Sequence, residues 1–345
     1  MYLHRFSQTG DCTESQNLIT EAYIVAALPR AERQLISAIR SQVARFPHGR
    51  ELTLGIGDDT AILRVAPGSE LLVTTDFSLE GVHFRREWHP PESIGHRCLA
   101  RGLSDIAAMG GKPVAAFLSL ALPGKLPQLW VDRFIKGFLA LAKQFSVPLA
   151  GGDTAQSPSG VLADIVVIGS VPKEKAFLRS GARPGDRLYV TGVLGASVSA
   201  LNRLRRGERL RPGDFPEHFS PSPRIAVGQY LRQHRLASAM IDLSDGLSTD
   251  LSHICEESLV GALVHADSLP TVDNSLEALA YALHGGEDYE LLFTAPRRAR
   301  VPKKIAGVTV TEIGEILPSR RTQMWLESEG LRVPLKAKGW EHFRA

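Results

Sequence analysis

The sequence predicts an α/β protein of two domains, on three observations. Strand and helix signals alternate over residues 31–173, a stretch carrying prolines and glycines interrupts them, and a second alternating series runs to the end. The chain is also long enough, at 345 residues, to bury two cores. These signals alone give only an α/β class.

Residues 1–30 show weak periodicity and read as a loose extension. From Ala31, the string AERQLISAIRSQVARF sets Leu35, Ile36, Ile39 and Val43 on one face of a first helix. Strand LLVTTD, a helix from Glu92 to Met109, strand VAAFLSLAL, a helix from Gln128 to Phe145 and strand LADIVVIGSV complete the amino-terminal domain, residues 31–173. Between Pro172 and Asp186 the composition changes to KEKAFLRSGARPGD, as an interdomain crossover would read. The carboxy-terminal domain, 174–345, continues with strand RLYVTG and a helix beginning near Ala196. A helix near Arg224–Arg235, strand SAMIDLS, helix GLSTDLSHICEES and strand GALVHA follow, and a helix and two strands finish the chain.

Composition excludes several classes. With 43% apolar and 22% charged residues and a net charge of +3, the chain has the balance of an ordinary globular protein. Its basic clusters, Arg203 to Arg211 and Arg297 to Lys304, lack interleaved aromatics, so they read as solvated surface and not as a nucleic-acid patch. No segment has the apolar length of a membrane span, and the first residues do not form a signal peptide. Cys12, Cys98 and Cys255 are scattered and odd in number, which suits a reducing compartment, and the expected location is cytoplasmic.

Five aspartate-bearing strings span nearly two hundred residues: GIGDDTAIL (55–63), TTDFSLEGVHF (74–84), LSDIAAMGG (103–111), GGDT (151–154) and IDLSDG (241–246). Each acid stands beside glycine or a small hydroxyl residue at what reads as a strand end or turn, where backbone and carboxylate approach one ligand together. A nucleoside triphosphate with a second phosphorylated substrate carries roughly six negative charges. Aspartates alone would repel it, since like charges 4 Å apart cost about 4 kcal/mol at an effective dielectric near 20. Several Mg²⁺ ions resolve the conflict, each held by one or two carboxylates plus phosphate oxygens and water. Of the Asp58-Asp59 pair only one residue can face such a cluster from an extended segment, and Asp59 is the expected one.

The common nucleotide signatures are absent. Gly111-Lys112 is followed by Pro113, so there is no GxxxxGK[ST], and GIGDDT lacks the third glycine of a dinucleotide fingerprint. TGVLGAS (191–197) either offers helix-start amides to a phosphate or simply packs a strand tightly against a helix.

Taken in order, GIGDDTAIL, TTDFSLEGVHF, SDIAAMGGKP, GGDT, RSGARPGD, IDLSDG, GGEDYELLFT and a terminal GWEHF closely resemble the thiamine-monophosphate kinases. These belong to the aminoimidazole-ribonucleotide-synthetase-like superfamily, and the resemblance covers about residues 31–345. It implies an α+β type of α/β fold, with mixed sheets packed by helices and an amino-terminal sheet that pairs in a homodimer. It also implies a reaction: Mg²⁺-dependent transfer of the ATP γ-phosphoryl group to thiamine monophosphate, giving thiamine diphosphate and ADP. The acceptor phosphate is already deprotonated near neutral pH, so positioning and charge stabilisation do most of the work.

By the same resemblance, Asp59, Thr74, Thr75, Asp76, Asp105, Asp153, Asp242 and Asp245 are the magnesium ligands, with Asp76, Asp153 and Asp245 catalytic. Gly152, Arg179 and Ser244 contact ATP. His83, Glu287 and Trp340 lie near thiamine monophosphate, where an indole can stack on a cationic thiazolium. Plainer readings stand beside four of these. Arg179 would cap the turn before Pro184, His83 would pin the loop after Gly81, Glu287 would be a helix-start carboxylate, and Trp340 would dock the tail. Two residues depart from the family pattern, Arg101 ahead of LSD and Ala155 after GGDT. Two other functions stay open: another ATP-dependent reaction of the superfamily, and a noncatalytic nucleotide or metal sensor.

Overall fold

The computed structural model describes residues 30, 32–45, 50–57, 60–319 and 322–341. Of the expected extension only Arg30 falls within them, and Asp58 and Asp59 lie outside.

The amino-terminal half contains α1 (Glu32–Val43), β1 (Leu52–Leu54), β2 (Ile62–Leu63), β3 (Ser69–Leu79) and α2 (Pro91–Ala108). It continues with β4 (Lys112–Pro123), α3 (Gln128–Gln144), β5 (Leu149–Ser157) and β6 (Leu162–Pro172). Strands β3, β6, β4 and β5 form one sheet in that order, parallel only between β4 and β5. Along β6 Ala163, Ile165 and Val167 are fully buried while the alternate residues are not, the two-residue period of a sheet covered on one side. Helices α2 and α3 supply the cover and cross backbone to backbone. A Cβ on Gly95 would fall 2.0 Å from Phe134 O, and one on Gly137 would fall 2.0 Å from Glu92 O. In α1, Leu35 and Ile39 are buried while Ile36 is 38% exposed, so the predicted apolar face is only partly used.

The carboxy-terminal half runs β7 (Arg187–Thr191), α4 (Ala196–Arg205), α5 (Pro216–Phe219), α6 (Ile225–Gln233), β8 (Ala239–Asp242), α7 (Leu247–Ser258) and β9 (Gly261–His265). Then come α8 (Leu276–His284), β10 (Leu291–Ala295), β11 (Lys304–Ile305), β12 (Val308–Leu317), β13 (Met324–Ser328) and β14 (Leu331–Leu335). Five strands follow α8, where two were expected. The extra ones are short or half-exposed and carry little alternation. Their sheet has the order β14-β13-β9-β12-β7-β10-β8, with β11 paired to β12, and is antiparallel except between β9 and β13.

The core differs from the expected pair of separate cores. One face of the second sheet, with Tyr189, Met240, Leu291 and Phe293, packs into the same apolar cluster as α2 and the first sheet. The other face, with Leu188, Val190, Ile241 and Leu292, packs on α7 and α8 in a cluster of its own. Helix α2 is therefore buried between the halves: Cys98, Leu99, Ala100 and Leu103 have no exposure. Helix α6 closes on it at Gly228, where a Cβ would meet Ala107 O at 2.1 Å. No helix among the described residues is long and apolar enough to cross a membrane.

Candidate active site

The four-residue spacing of Arg97, Arg101 and Asp105 places all three on one face of α2, with Ser104 beside them. Across from Asp105, β3 offers Thr74 and Asp76, and the Thr74 hydroxyl donates to Asp105 Oδ2. From the other half, β8 ends at Asp242, whose Oδ2 accepts from Ser104 Oγ at 2.6 Å. Burial raises the Asp76 carboxyl to about 7, reinforced by the Asp105 charge and opposed by Arg101. Burial also raises Asp105, against the pull of Thr74 and Arg179, and raises Asp242 well above the carboxylate range, with Asp105 adding to it. Three aspartates thus repel one another at the junction, the electrostatic condition that a hard cation relieves.

Two loops are laced together behind Asp242. The Glu287 N–H donates to Ser244 O at 2.8 Å, Tyr289 N–H to Leu243 O at 2.9 Å, and Leu243 N–H to Glu290 O at 2.8 Å. Glu287 and Tyr289 adopt φ of 65° and 51°, a costly conformation for non-glycine residues that the lacing holds. Asp250 Oδ2 gathers the N–H groups of Asp245 and Gly246 at 3.1 and 3.0 Å. The chain end docks on the same turn: Gly339 N–H reaches Thr249 Oγ1 at 2.9 Å and Trp340 N–H reaches Asp245 O at 3.0 Å. Trp340 remains 50% exposed, so its backbone anchors the tail while the indole presents surface.

Glu287 is gripped by two cations, Arg97 Nη2 at 2.6 Å and Arg101 Nη2 at 2.5 Å. Burial works against its ionisation, but the two guanidinium groups prevail and hold it at about 2. Arg97 also donates to His218 O at 2.5 Å. Behind it, the Nε2 atoms of His89 and His218 lie 3.0 Å apart, a buried polar contact joining the two halves.

Among the expected site residues, Thr74, Asp76, Asp105 and Asp242 converge, and the charge of Arg179 reaches Asp105 and Asp250. Ser244, Asp245, Glu287 and Trp340 line the adjoining loops. His83 stands at the turn after β3, where its Nδ1 accepts from Leu79 N–H at 3.0 Å, and Arg97 Nη2 reaches its carbonyl at 3.4 Å. Two residues fall on the opposite face of the first sheet. The Thr75 hydroxyl points there and donates to Asp164 Oδ1 at 2.8 Å, while Asp153, in register with Ser119, shares that face. Asp76 and Asp153 sit within strands and Asp105 in the last helical turn, so among the described acids of these strings only Asp242 and Asp245 occupy the expected strand end and turn. Gly152 has φ of 149° and no room for a Cβ, which would lie 1.9 Å from Leu118 O. Among the described residues no three His, Cys, Asp or Glu side chains enclose a metal site unaided.

TGVLGAS resolves in favour of packing. The Gly195 N–H at the start of α4 is taken by Asp288 Oδ2 at 2.8 Å, and a Cβ there would meet the Tyr281 and Ala282 backbone at 2.7 Å. Cys98 and Cys255 are fully buried, which pushes both thiols up to about 12, so neither is a nucleophile. Sequence reasoning missed Arg97, Ser104, Asp250 and Asp288. Only the Arg97, Arg101, Asp105 spacing on one helix carried a usable signal.

Two family models match, the AIR synthase related protein amino-terminal domain at residues 57–171 and the carboxy-terminal domain at 183–327. Fold and acidic junction define a protein of that class. The thiamine-monophosphate kinase of Salmonella typhimurium is 38% identical over 85% of this chain and 93% of its own length. The solved thiamine-monophosphate kinase of Stenotrophomonas maltophilia matches with a TM-score of 0.74 at 34% identity, covering 86% of this chain and 96% of that one. AaThiL complexed with AMPPCP and TMP matches at 0.71 and 31%, covering 90% and 97%. The chain belongs to the thiamine-monophosphate kinase family.

Proposed function

We propose that the protein transfers the γ-phosphoryl group of ATP to thiamine monophosphate, giving thiamine diphosphate and ADP. The observation that carries this is relatedness over most of the chain to thiamine-monophosphate kinases, one of them solved with AMPPCP and TMP. The site's chemistry agrees with it. The acceptor oxygen needs no strong base, and the junction offers buried acids, arginines and hydroxyls in place of an exposed histidine dyad or reactive thiol.

Mg²⁺ fits the donor set. Asp76, Asp105 and Asp242 are held together without enough countercharge of their own. They do not enclose an ion alone, which suits Mg²⁺ shared with phosphates and water. We assign Asp59, Thr74, Thr75, Asp76, Asp105, Asp153, Asp242 and Asp245 to several such ions, Thr75 through its main-chain carbonyl because its hydroxyl is committed to Asp164. Bound Mg²⁺ would neutralise the triphosphate and draw charge from the transferring group. Gly152, Arg179 and Ser244 then contact ATP. His83, Glu287 and Trp340 shape the thiamine-monophosphate end, with Trp340 stacking on the ring system.

The halves, 31–173 and 174–345, act as two domains that close the site from opposite sides. The outer face of the first sheet exposes Leu71, Val73 and Phe77 by 51 to 66%, an apolar row that favours pairing with a second copy. ATP as co-substrate and the unpaired thiols of Cys98 and Cys255 favour the cytoplasm. The decisive experiment incubates purified protein with ATP, Mg²⁺ and either thiamine monophosphate, free thiamine or an aminoimidazole-pathway substrate. Thiamine diphosphate formed only from the monophosphate, and lost on chelation, is expected. ATP binding with no phosphorylated acceptor would replace the kinase by another superfamily reaction or a sensor.

A further inference from the structure

We propose that Arg101 is a catalytic residue, a fixed guanidinium that contacts the transferring phosphoryl group and is held in place by Glu287 and Arg97. The inference rests on the kinase function above.

The geometry supplies the first argument. Arg101 stands one helical turn before Asp105 on α2, and its side chain is only 11% exposed. It is pinned from both halves: Nη2 donates to Glu287 Oε1 at 2.5 Å, and Nη1 to Phe77 O at 3.3 Å, the carbonyl directly after Asp76. Because Phe77 follows Asp76 on β3 and Asp105 lies one turn further along α2, the guanidinium borders the acidic junction.

Charge supplies the second. One carboxylate, Glu287, serves two guanidinium groups, which leaves one buried positive charge over. A surplus buried charge is costly without a partner. Asp76, next to the Phe77 whose carbonyl Arg101 holds, is one candidate, but the proposed function commits it to a cation, and the remaining anion in the reaction is phosphate. Arg97 does not compete for this role. Its side chain is 4% exposed, and its donors go to His218 O, His83 O and Glu287. The buried His89–His218 pair backs Arg97, so the chain of supports is Arg97 to Glu287 to Arg101.

In the reaction an oxygen of the acceptor phosphate forms a bond to the γ-phosphorus. The bond from that phosphorus to the bridging oxygen breaks, its electron pair leaves with ADP, and no proton has to move. Charge spreads over the three equatorial oxygens, and a planar fork can keep Glu287 while directing another N–H to one of them. Lysine offers the charge without the fork.

Kinetics of Arg101→Gln and Arg101→Lys beside the unaltered protein test the proposal. We expect Gln to lower kcat by at least about a hundredfold, with the KM for ATP little changed. Lys should recover part of the loss, and added guanidinium should accelerate the Gln variant but not the parent. Near-parental kcat in the Gln variant overturns the proposal. So does a loss that tracks thermal destabilisation and responds neither to Lys nor to guanidinium, because Arg101 would then be a brace. If the parent itself makes no thiamine diphosphate, the kinase function fails instead.

Discussion

Asp242 combines the features that make this site costly to build. It is 5% exposed, near other carboxylates, and steadied mainly by the Ser104 hydroxyl. Asn has the same shape and still accepts that bond. Asp242→Asn should therefore lower turnover at least about a hundredfold while stabilising the metal-free protein by about 1 kcal/mol, because Asn escapes the burial and like-charge costs of the carboxylate. Turnover and denaturant unfolding on the same preparation check both signs. Trp340 has the opposite character, since its backbone is anchored and its ring is half exposed. Trp340→Ala should raise the KM for thiamine monophosphate several-fold, consistent with about 0.5 to 2 kcal/mol of stacking, and leave the ATP dependence unchanged. An unaltered KM for thiamine monophosphate removes the stacking role. Asp76, Asp105, Asp242 and Asp245 were legible in the sequence because each sits in a short string of acid, glycine and hydroxyl. Asp250 and Asp288 were not, because their role is to hold backbone N–H groups that come together only when loops distant in sequence meet.

Helix α2 does more than any other element to position the site. Its outer residues form the amino-terminal core, its last turns carry Arg101, Ser104 and Asp105, and it touches α3 and α6 through glycines. Gly95→Ala would drive a Cβ to 2.0 Å from Phe134 O and push α2 off α3. We expect a loss of about 3 kcal/mol or more, read as a lowered unfolding midpoint, with activity reduced by displacement of Asp105. A stability equal to the parent's would show that the crossing yields easily. The sequence placed this helix within a residue at each end, because its apolar spacing is dense and Pro91 and Gly110 punctuate it. It misjudged the strands after α8, where single short segments owe their pairing to β9 and β12 and not to an alternating pattern of their own.

Joining the two halves introduces a pH dependence. Burial, aided by the Arg97 charge, lowers His89 to about 4 and His218 to about 2. The unfolded chain takes up protons on both below about pH 6.5, while the folded protein keeps them neutral. The unfolded state then binds more protons, so stability falls as the pH drops from about 6.5 towards 4, with a slope near 1.4 kcal/mol per unit for each residue. Asp288, raised to about 8 by burial, acts in the other direction, losing stability as the pH rises from about 4 to 8. Comparing His89→Gln with the parent isolates the first effect: the unfolding free energy at pH 7.5 minus that at pH 5.5 should be lower in the variant than in the parent, by about 1.4 kcal/mol. An identical difference would mean His89 titrates normally. The exposed row on β3 gives a second test at this scale. If the chain pairs through this row as proposed, Val73→Glu should give a monomer by sedimentation, and an unchanged sedimentation coefficient would place any pairing elsewhere.

The sequence by itself determined the α/β class, the order of most elements, the run of acids and the family resemblance. Those properties are local: periodicity follows from backbone geometry, and a short motif keeps its composition wherever the chain carries it. Tertiary structure decided which motifs share a side. It put Thr74 and Asp76 with Asp105 and Asp242, and turned Thr75 and Asp153 to the other face of the sheet. It merged the expected separate cores across α2, and it brought Arg97 and Arg101 onto Glu287, nearly two hundred residues away in the chain. Such encounters depend on register and packing between distant segments, which no window of sequence contains.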